Sequence, residues 1–257
     1  MRKEGREGSL GRYALAVIAH LALVTAWLLL VKVGHVPRFV LPSPLDTAAA
    51  LGDGSYNWWG NIGTTATEIF GGYFLAVAVG VALALLFSWS ALLESFLMPL
   101  LVSLNMIPKV ALGPIIIVWF KYGVLPNTLM AFSICVFPIL LTTARGLREI
   151  EPELLDLVHA LRGSRWQLFT KIQLPGALPH LFSGMKVAVV LAVAGAIVGE
   201  FLGSERGLGY LMLQVQVTLD TPAMFMAVIL ITALGVVLYG VVRLFERWLC
   251  PGDARVA

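Results

Sequence analysis

Long, almost uninterrupted apolar runs are the feature that most constrains this chain. Of its 257 residues, 59% are hydrophobic and 13% are charged, whereas about a quarter of residues are charged in ordinary soluble domains. Runs of this length match what an α-helix needs to cross a bilayer. We therefore predict an all-α integral membrane protein with six spans, at residues 13–33, 69–93, 96–120, 125–143, 181–202 and 224–244.

The division of the chain follows from these runs. We expect one transmembrane domain over residues 1–257, and the third span should be kinked because it contains Pro99, Pro108 and Pro114. A short surface helix is a candidate over residues 46–51, before two tryptophans that suit the membrane interface. The predicted parts are a tail at 1–12, the first span at 13–33, a connection at 34–65, a five-span core at 66–245 with a polar loop at 144–180, and a tail at 246–257.

Basic residues give the orientation. When both termini are placed in the cytoplasm, most of the 18 Lys and Arg residues fall on the inner side, as the positive-inside rule requires. This orientation puts the longest polar stretch, residues 149–179, in the cytoplasm.

The polar stretch carries the signals of two short helices. Pro152 suits a first helical turn, and apolar residues then recur at helical spacing opposite a polar face. Gly163 fits the left-handed position just past a helix end. Ser164 and Gln167 have the spacing of a capping box, so a second helix should start there, and Pro175 with Pro179 should stop it. Two amphipathic helices joined by a tight turn predict a docking surface.

Motifs for chemistry on this chain are missing from the sequence. It contains no G-x-x-x-x-G-K-[ST] phosphate loop, no H-E-x-x-H and no G-x-S-x-G. Its two cysteines and four histidines have no metal-ligand spacing. We therefore expect no catalytic residues, no metal and no cofactor, and any energy for uphill work must come from a partner.

Several motifs together resemble one family. The spacing of Asp156, Arg162 and the run Ile172-Gln173-Leu174-Pro175 is similar to the cytoplasmic EAA signature of binding-protein-dependent ABC importer permeases. The stretches at 164–169 and 174–179 resemble the branch that includes nitrate, sulfonate, taurine and thiamine-precursor permeases. Further matches are Leu41-Pro42-Ser43-Pro44-Leu45-Asp46, Gly199-Glu200-Phe201-Leu202-Gly203 and Arg206-Gly207-Leu208-Gly209-Tyr210. Two departures are Asp156 in place of the family glutamate and Arg162 at the usual glycine position.

The resemblance implies a function and a set of partners. It implies a type I importer-like permease in the bacterial inner membrane, paired with a second copy and surrounded by lipid, that imports a small, anionic solute. Sulfonate, nitrate, taurine, an aromatic acid or a thiamine precursor would fit. Two cytoplasmic ATPase subunits would bind ATP and Mg, and a periplasmic or lipid-anchored protein would bind the solute. On this basis the ATPase-docking coupling helix comprises Asp156, His159, Ala160, Leu161, Arg162, Gly163, Ser164 and Trp166.

Charged residues inside predicted spans are candidates for the transport pathway, because a charge in a bilayer is costly. Lys109, beside Asn105 and Met106, could line the pathway, pair with Glu200 or Glu68, or extend to the interface. Glu200 could equally be a gate residue or an interfacial carboxylate.

Other functions fit the sequence less well. A membrane scaffold or sensor that docks a cytoplasmic protein without moving solute is the main alternative. A helix-turn-helix DNA reader is weakened by its short helices, so we expect no nucleic-acid partner. An integral-membrane enzyme would need more polar groups converging from several spans.

Overall fold

A computed structural model describes residues 4–149 and 152–250. Within these ranges the regular structure is helical, and no strand occurs. A 3-10 turn at Gly54–Tyr56 and a π turn at Phe169–Gln173 interrupt the α-helices. The helices are α1 Glu4–Val33, α2 Pro44–Ala50, α3 Trp58–Trp89, α4 Ala91–Met106, α5 Lys109–Phe120, α6 Val124–Gly146, α7 Pro152–Ala160, α8 Arg165–Leu168, α9 Leu174–Gly203, α10 Leu208–Val217 and α11 Thr221–Leu249.

Four stretches in the described part of the chain are long and apolar enough to cross a membrane. A fifth span results if α4 and α5, which bend by 94° at their junction, count as one. Two more apolar stretches, Val17–Val33 and Leu208–Val217, are shorter. The four long stretches are Gly54–Trp89, Val124–Gly146, Arg165–Gly203 and Thr221–Leu249.

Several boundaries differ from the predicted ones. The helix of the second span, predicted at 69–93, runs from Trp58 to Trp89 and includes the polar residues near its start. The predicted tail at 1–12 enters α1 at Glu4, and residues 1–3 lie outside the described residues, as do 251–257 of the predicted C-terminal tail. Sequence analysis also missed α10. The kink predicted in the third span is confirmed, and it lies between Met106 and Lys109, whereas Pro99 and Pro114 lie inside helices.

Contacts divide the chain into two compact units, Met1–Trp58 with Leu211–Ile229, and Trp59–Tyr210 with Leu230–Ala257. In the larger unit α6 and α9 form the most extensive helix pair. Small residues allow their backbones to approach, as is common between membrane helices. A Cβ built on Gly195 of α9 would lie 2.7 Å from the Cα of Ala131 in α6, and one on Gly72 of α3 would lie 2.6 Å from the Cβ of Ala131.

Large side chains and an ion pair between α9 and α11 contribute to the packing of the larger unit. Ile69, Tyr73 and Phe182 fill the core between the closely packed helices. Lys186 of α9 pairs with Glu246 of α11 at 2.7 Å, and both side chains are largely shielded from solvent. This pair fixes the register between α9 and α11.

The smaller unit is joined by side-chain hydrogen bonds. Trp27 of α1 donates to the carbonyl of Pro42 at 3.0 Å, and Tyr56 bonds to Asp220. Ser43 caps α2 in a capping box with Asp46. The hydroxyl of Ser43 also donates to Asp46 Oδ2 at 2.6 Å, and this bond holds the pKa of Asp46 below its usual range. The short helix predicted at 46–51 is confirmed, with its start moved to Pro44.

Candidate functional site

A tight turn connects α7 to α8 within the polar stretch. The amide of Gly163 donates to the carbonyl of Val158 at 2.8 Å, a six-to-one bond typical of a Schellman motif. Arg162, with φ of 53°, takes the left-handed position. The prediction that Gly163 takes it is therefore wrong. Gly163 is needed for space instead, since a Cβ there would lie 2.7 Å from Cγ1 of Val158.

A capping box starts α8, as predicted. Ser164 Oγ accepts from the amide of Gln167 at 3.2 Å, and Gln167 Oε1 accepts from the amide of Ser164 at 2.8 Å. The prediction that Pro175 and Pro179 end this helix is wrong. A π turn at Phe169–Gln173 precedes Pro175, which then opens α9 in the first turn, where its missing N–H is tolerated. As a result α8, the π turn and α9 form one helical stretch, Arg165–Gly203.

Three aromatic rings attach α8 to the end of α3. The ring of Trp89 makes edge contacts with Trp166 and Phe169, at centroid distances of 6.1 and 5.7 Å. These rings, with Arg165 and Gln173, line a groove of about 430 Å³. Trp166 remains 61% exposed, so it is held in position and still presents surface to a partner.

Much of the predicted docking surface is exposed. Leu161 is 73% exposed and Leu154 is 36% exposed, although both belong to the apolar face predicted for α7. His159 lies in α7, and its side chain is outside what the structure describes. Residues Asp156, Ala160, Arg162 and Ser164 are also exposed, while Gly163 is half-buried. The structure thus places the predicted coupling residues on one short, continuous segment.

Ion pairs support the residues just before α7. Arg145 bonds to Glu149 at 2.8 Å, and His180 of α9 reaches the other oxygen of Glu149 at 2.9 Å. The hydrogen bond from Arg145 holds the pKa of Glu149 below its usual range. Arg148 pairs with Glu94 of α4. These contacts connect the polar stretch to α4, α6 and α9.

The predicted pathway residues near the third span lie at the break between α4 and α5. Lys109 starts α5, and its Nζ donates to the carbonyl of Leu104 at 2.8 Å. The same carbonyl accepts a longer hydrogen bond from the amide of Ile107 at 3.4 Å, so Lys109 adds a second donor at the end of α4. Asn105 is half-buried and Met106 is exposed.

Glu200 lies away from that break, in a buried polar cluster. It is 1% exposed, and it accepts hydrogen bonds from Thr65 at 2.6 Å and from the amides of Gly209 and Tyr210 at 2.5 and 3.1 Å. Glu200 is therefore shielded from solvent by its own chain, and both alternatives considered from the sequence, a gate residue and an interfacial carboxylate, stay predictions. Within the described ranges Lys109 has no ion pair with Glu200 or Glu68.

Sequence analysis considered Glu68 only as a possible partner of Lys109 and did not predict its place in this cluster. Glu68 of α3 is fully buried and accepts from Asn127 of α6 at 2.8 Å. The signal that could have found it is a glutamate in a long apolar run, since such a residue is expected to face the protein interior.

Together these features define a helical membrane protein with an exposed helix pair, the second helix of which is continuous with a span. The family described as "Binding-protein-dependent transport system inner membrane component" matches residues 54–249, and the chain belongs to this family. The resemblance to importer permeases and the predicted all-α fold class are thereby confirmed. Of the six predicted spans, the described residues contain four that are long and apolar enough to cross a membrane, or five if α4 and α5 count as one.

Curated relatives cover most of the chain. A probable ABC transporter permease protein of Haemophilus influenzae is 34% identical over 84% of this chain and 89% of its own length. The riboflavin transport system permease RibX of Chloroflexus aurantiacus is 34% identical, covering 90% and 87%. The formylaminopyrimidine transport permease ThiX of Halalkalibacterium halodurans is 31% identical, covering 83% and 86%.

A solved structure supports the fold. The inward-facing MetNI methionine ABC transporter aligns with a TM-score of 0.62 and 18% identity, over 74% of this chain and 94% of that one. This likeness concerns the fold alone. The family match and the curated relatives show that the chain is a transport permease and not an enzyme, with ATP hydrolysed by separate subunits. Membership of this family also implies an ATPase and a solute-binding protein as partners.

Proposed function

We propose that the chain forms, as a homodimer, the translocation pathway of an ATP-driven importer for a small, anionic solute. The ATPase partners would bind the ATP and Mg, and this chain would bind no cofactor. Both termini would lie in the cytoplasm, so that α7 and α8 face the ATPases and the solute-binding protein docks on the opposite side. A two-fold pair is the commonest arrangement of soluble oligomers, and it would place one shared pathway at the interface.

The continuity of α8 with α9 carries the proposal. The exposed segment from Asp156 to Trp166 ends in α8, which is part of the helical stretch Arg165–Gly203, and only the tight turn at residues 161–164 separates α7 from that stretch. A push on this segment would tilt the span as a rigid body, which is a known mode of switching. Exposed Leu161 and Trp166 offer apolar contacts to an ATPase groove, and Arg162 and Asp156 offer polar ones.

Lys109 supports an anionic solute. It is a cation at the 94° break of an apolar helix pair, and no carboxylate among the described residues neutralises it. Relatives named for anions include the putative aliphatic sulfonates permease SsuC of Bacillus subtilis, at 26% identity. The bicarbonate permease CmpB of Synechococcus elongatus is 30% identical.

Leu161→Asp tests the docking surface. Leu161 is 73% exposed, so the substitution should leave folding and membrane insertion intact while abolishing co-purification of the ATPase. Glu153→Ala, at the other end of α7, is the matched control and should leave co-purification unchanged. ATPase binding by Leu161→Asp at the level of the parent chain would contradict the docking role. A complex that hydrolyses ATP without accumulating solute in vesicles would favour the scaffold alternative.

Substitutions of Lys109 test the pathway. Lys109→Met removes both the charge and the hydrogen bond to Leu104, whereas Lys109→Gln removes the charge and keeps a donor. If the charge attracts the solute, both variants should lower uptake of the anion more than basal ATP hydrolysis. Lys109→Arg should retain uptake. If only Lys109→Met loses uptake, the residue serves to cap α4, and its pathway role is wrong.

A further inference from the structure

The buried glutamates Glu68 and Glu200 lie next to each other, which the possible gate role of Glu200 considered from the sequence does not explain. They come from different helices, α3 and α9, and are 0% and 1% exposed. Their carboxyl groups lie within hydrogen-bonding distance of each other. Two carboxylates this close in a shielded site cannot both carry a charge without a large penalty.

Glu200 has the surroundings of an ionised carboxylate. The amide of Leu208 donates to Thr65 Oγ1 at 2.8 Å, so the hydroxyl hydrogen of Thr65 is free to point to Glu200, which it reaches at 2.6 Å. The other oxygen of Glu200 accepts from the amides of Gly209 and Tyr210. The Thr65 hydroxyl and the two amides all donate to Glu200. They therefore suit an ionised carboxylate, which can only accept.

Glu68 has different surroundings. Its Oε1 accepts from Asn127 Nδ2 at 2.8 Å. Its Oε2 is buried, and no donor reaches it. A buried acceptor without a donor is destabilising. A hydrogen on Oε2 would solve this problem, because the resulting hydroxyl could donate to Glu200.

We propose that Glu68 and Glu200 form a proton-binding site that holds one proton, carried on Glu68 and donated to Glu200. The titratable group that faces Glu68 is Glu200 of α9, while α6 contributes the neutral Asn127. The described residues contain no group of three or more His, Cys, Asp or Glu side chains that could hold a metal ion. The neighbouring groups direct hydrogen-bond donors at the carboxyl groups. Because donors carry partial positive charge, this arrangement favours a bound proton over a metal cation.

The proposed proton lies where α3, α6 and α9 meet the turn that follows α9. Gly207 has φ of 116°, and a Cβ there would overlap the carboxylate of Glu200. Its amide also donates to Asn61 at 2.9 Å. The turn therefore closes over Glu200, at the opposite end of α9 from the α7–α8 segment. Loss of the proton would place two adjacent charges under this turn and loosen it.

Glutamine substitutions separate the two carboxyls. Glu68→Gln mimics the protonated acid, since its oxygen can accept from Asn127 and its amide can donate to Glu200. Glu200→Gln directs an NH₂ group at Thr65 or at backbone amides, which are themselves donors. We expect the purified full-length permease in nanodiscs to keep its thermal unfolding midpoint with Glu68→Gln and to lose stability with Glu200→Gln. Equal loss in both variants would overturn the proposal.

The pH dependence of stability gives a second test. The folded chain would hold a proton that the unfolded chain releases near neutral pH. Its folding equilibrium constant relative to Glu68→Gln should then fall about tenfold per unit rise in pH, until the folded state also releases the proton. Identical pH profiles of the parent chain and Glu68→Gln would overturn the proposal.

Infrared spectroscopy tests the location of the proton. The carbonyl-stretch band of a protonated carboxyl, shifted in deuterium oxide, should be present in the parent chain and absent from Glu68→Gln. A band that survives this substitution would overturn the assignment.

A comparison of sodium and potassium chloride tests for a cation in place of the proton. The same samples, measured in the two salts at equal ionic strength, should have equal unfolding midpoints. A midpoint raised by sodium in the parent chain but not in Glu68→Gln would identify a cation site and overturn the proposed proton-binding site.

Discussion

Arg162→Gly should stabilise the turn between α7 and α8. Arg162 has φ of 53°, a conformation that disfavours residues with a Cβ by about 1–2 kcal/mol. Glycine removes this penalty but makes the unfolded turn more flexible, by roughly 0.5–1 kcal/mol. The net gain should be about 0.5–1 kcal/mol, which is a two- to fivefold change in the opening equilibrium, since about 1.4 kcal/mol is tenfold.

Hydrogen exchange measured by mass spectrometry reads this change directly. The amide of Gly163 is bonded to the carbonyl of Val158, so peptides that contain it should exchange more slowly in Arg162→Gly. Arg162→Ala is the control, because it removes the charge and keeps the left-handed strain. Gly163→Ala should exchange faster, since its Cβ would lie 2.7 Å from Val158. Equal exchange in Arg162→Gly and Arg162→Ala would refute the backbone argument.

Two further substitutions test the packing of the larger unit by thermal unfolding. Gly72→Ala should destabilise it by about 1–3 kcal/mol through overpacking against α6. Gly240→Ala is the control and should be neutral or stabilising, because an added Cβ there meets nothing within 4 Å. Similar unfolding midpoints for the two variants would contradict the close approach of α3 to α6. Lys186→Met alone should destabilise the folded chain more than Lys186→Met combined with Glu246→Leu, because the single change leaves the shielded carboxylate of Glu246 unpaired. Additive effects in this double-mutant cycle would show that the pair is not coupled.

Local signals predicted local structure well. The spacing of Ser164 and Gln167 predicted a capping box, and both of its hydrogen bonds are present. Pro152 predicted the start of α7. These features depend on residues a few positions apart, and their geometry is nearly the same in any protein.

Features that depend on surroundings could not be predicted in this way. Glycine is the usual left-handed residue, but here Gly163 is required one position later for its lack of a side chain. Pro175 would normally end a helix, yet the preceding π turn lets the helix continue. The contact of Glu68 with Glu200 joins residues far apart in the sequence, and no single-sequence pattern reports such a distance.

The length of the stretch Arg165–Gly203 sets how far a small motion can reach. Its 39 residues extend roughly 58 Å at about 1.5 Å per residue, nearly twice the roughly 30 Å of the hydrocarbon layer. One end must therefore project well beyond the lipid tails. With the middle held by its neighbours, a tilt of about 5° would move Trp166 and the turn after Gly203 in opposite directions by roughly 2–3 Å each, since each half of the stretch is about 29 Å long.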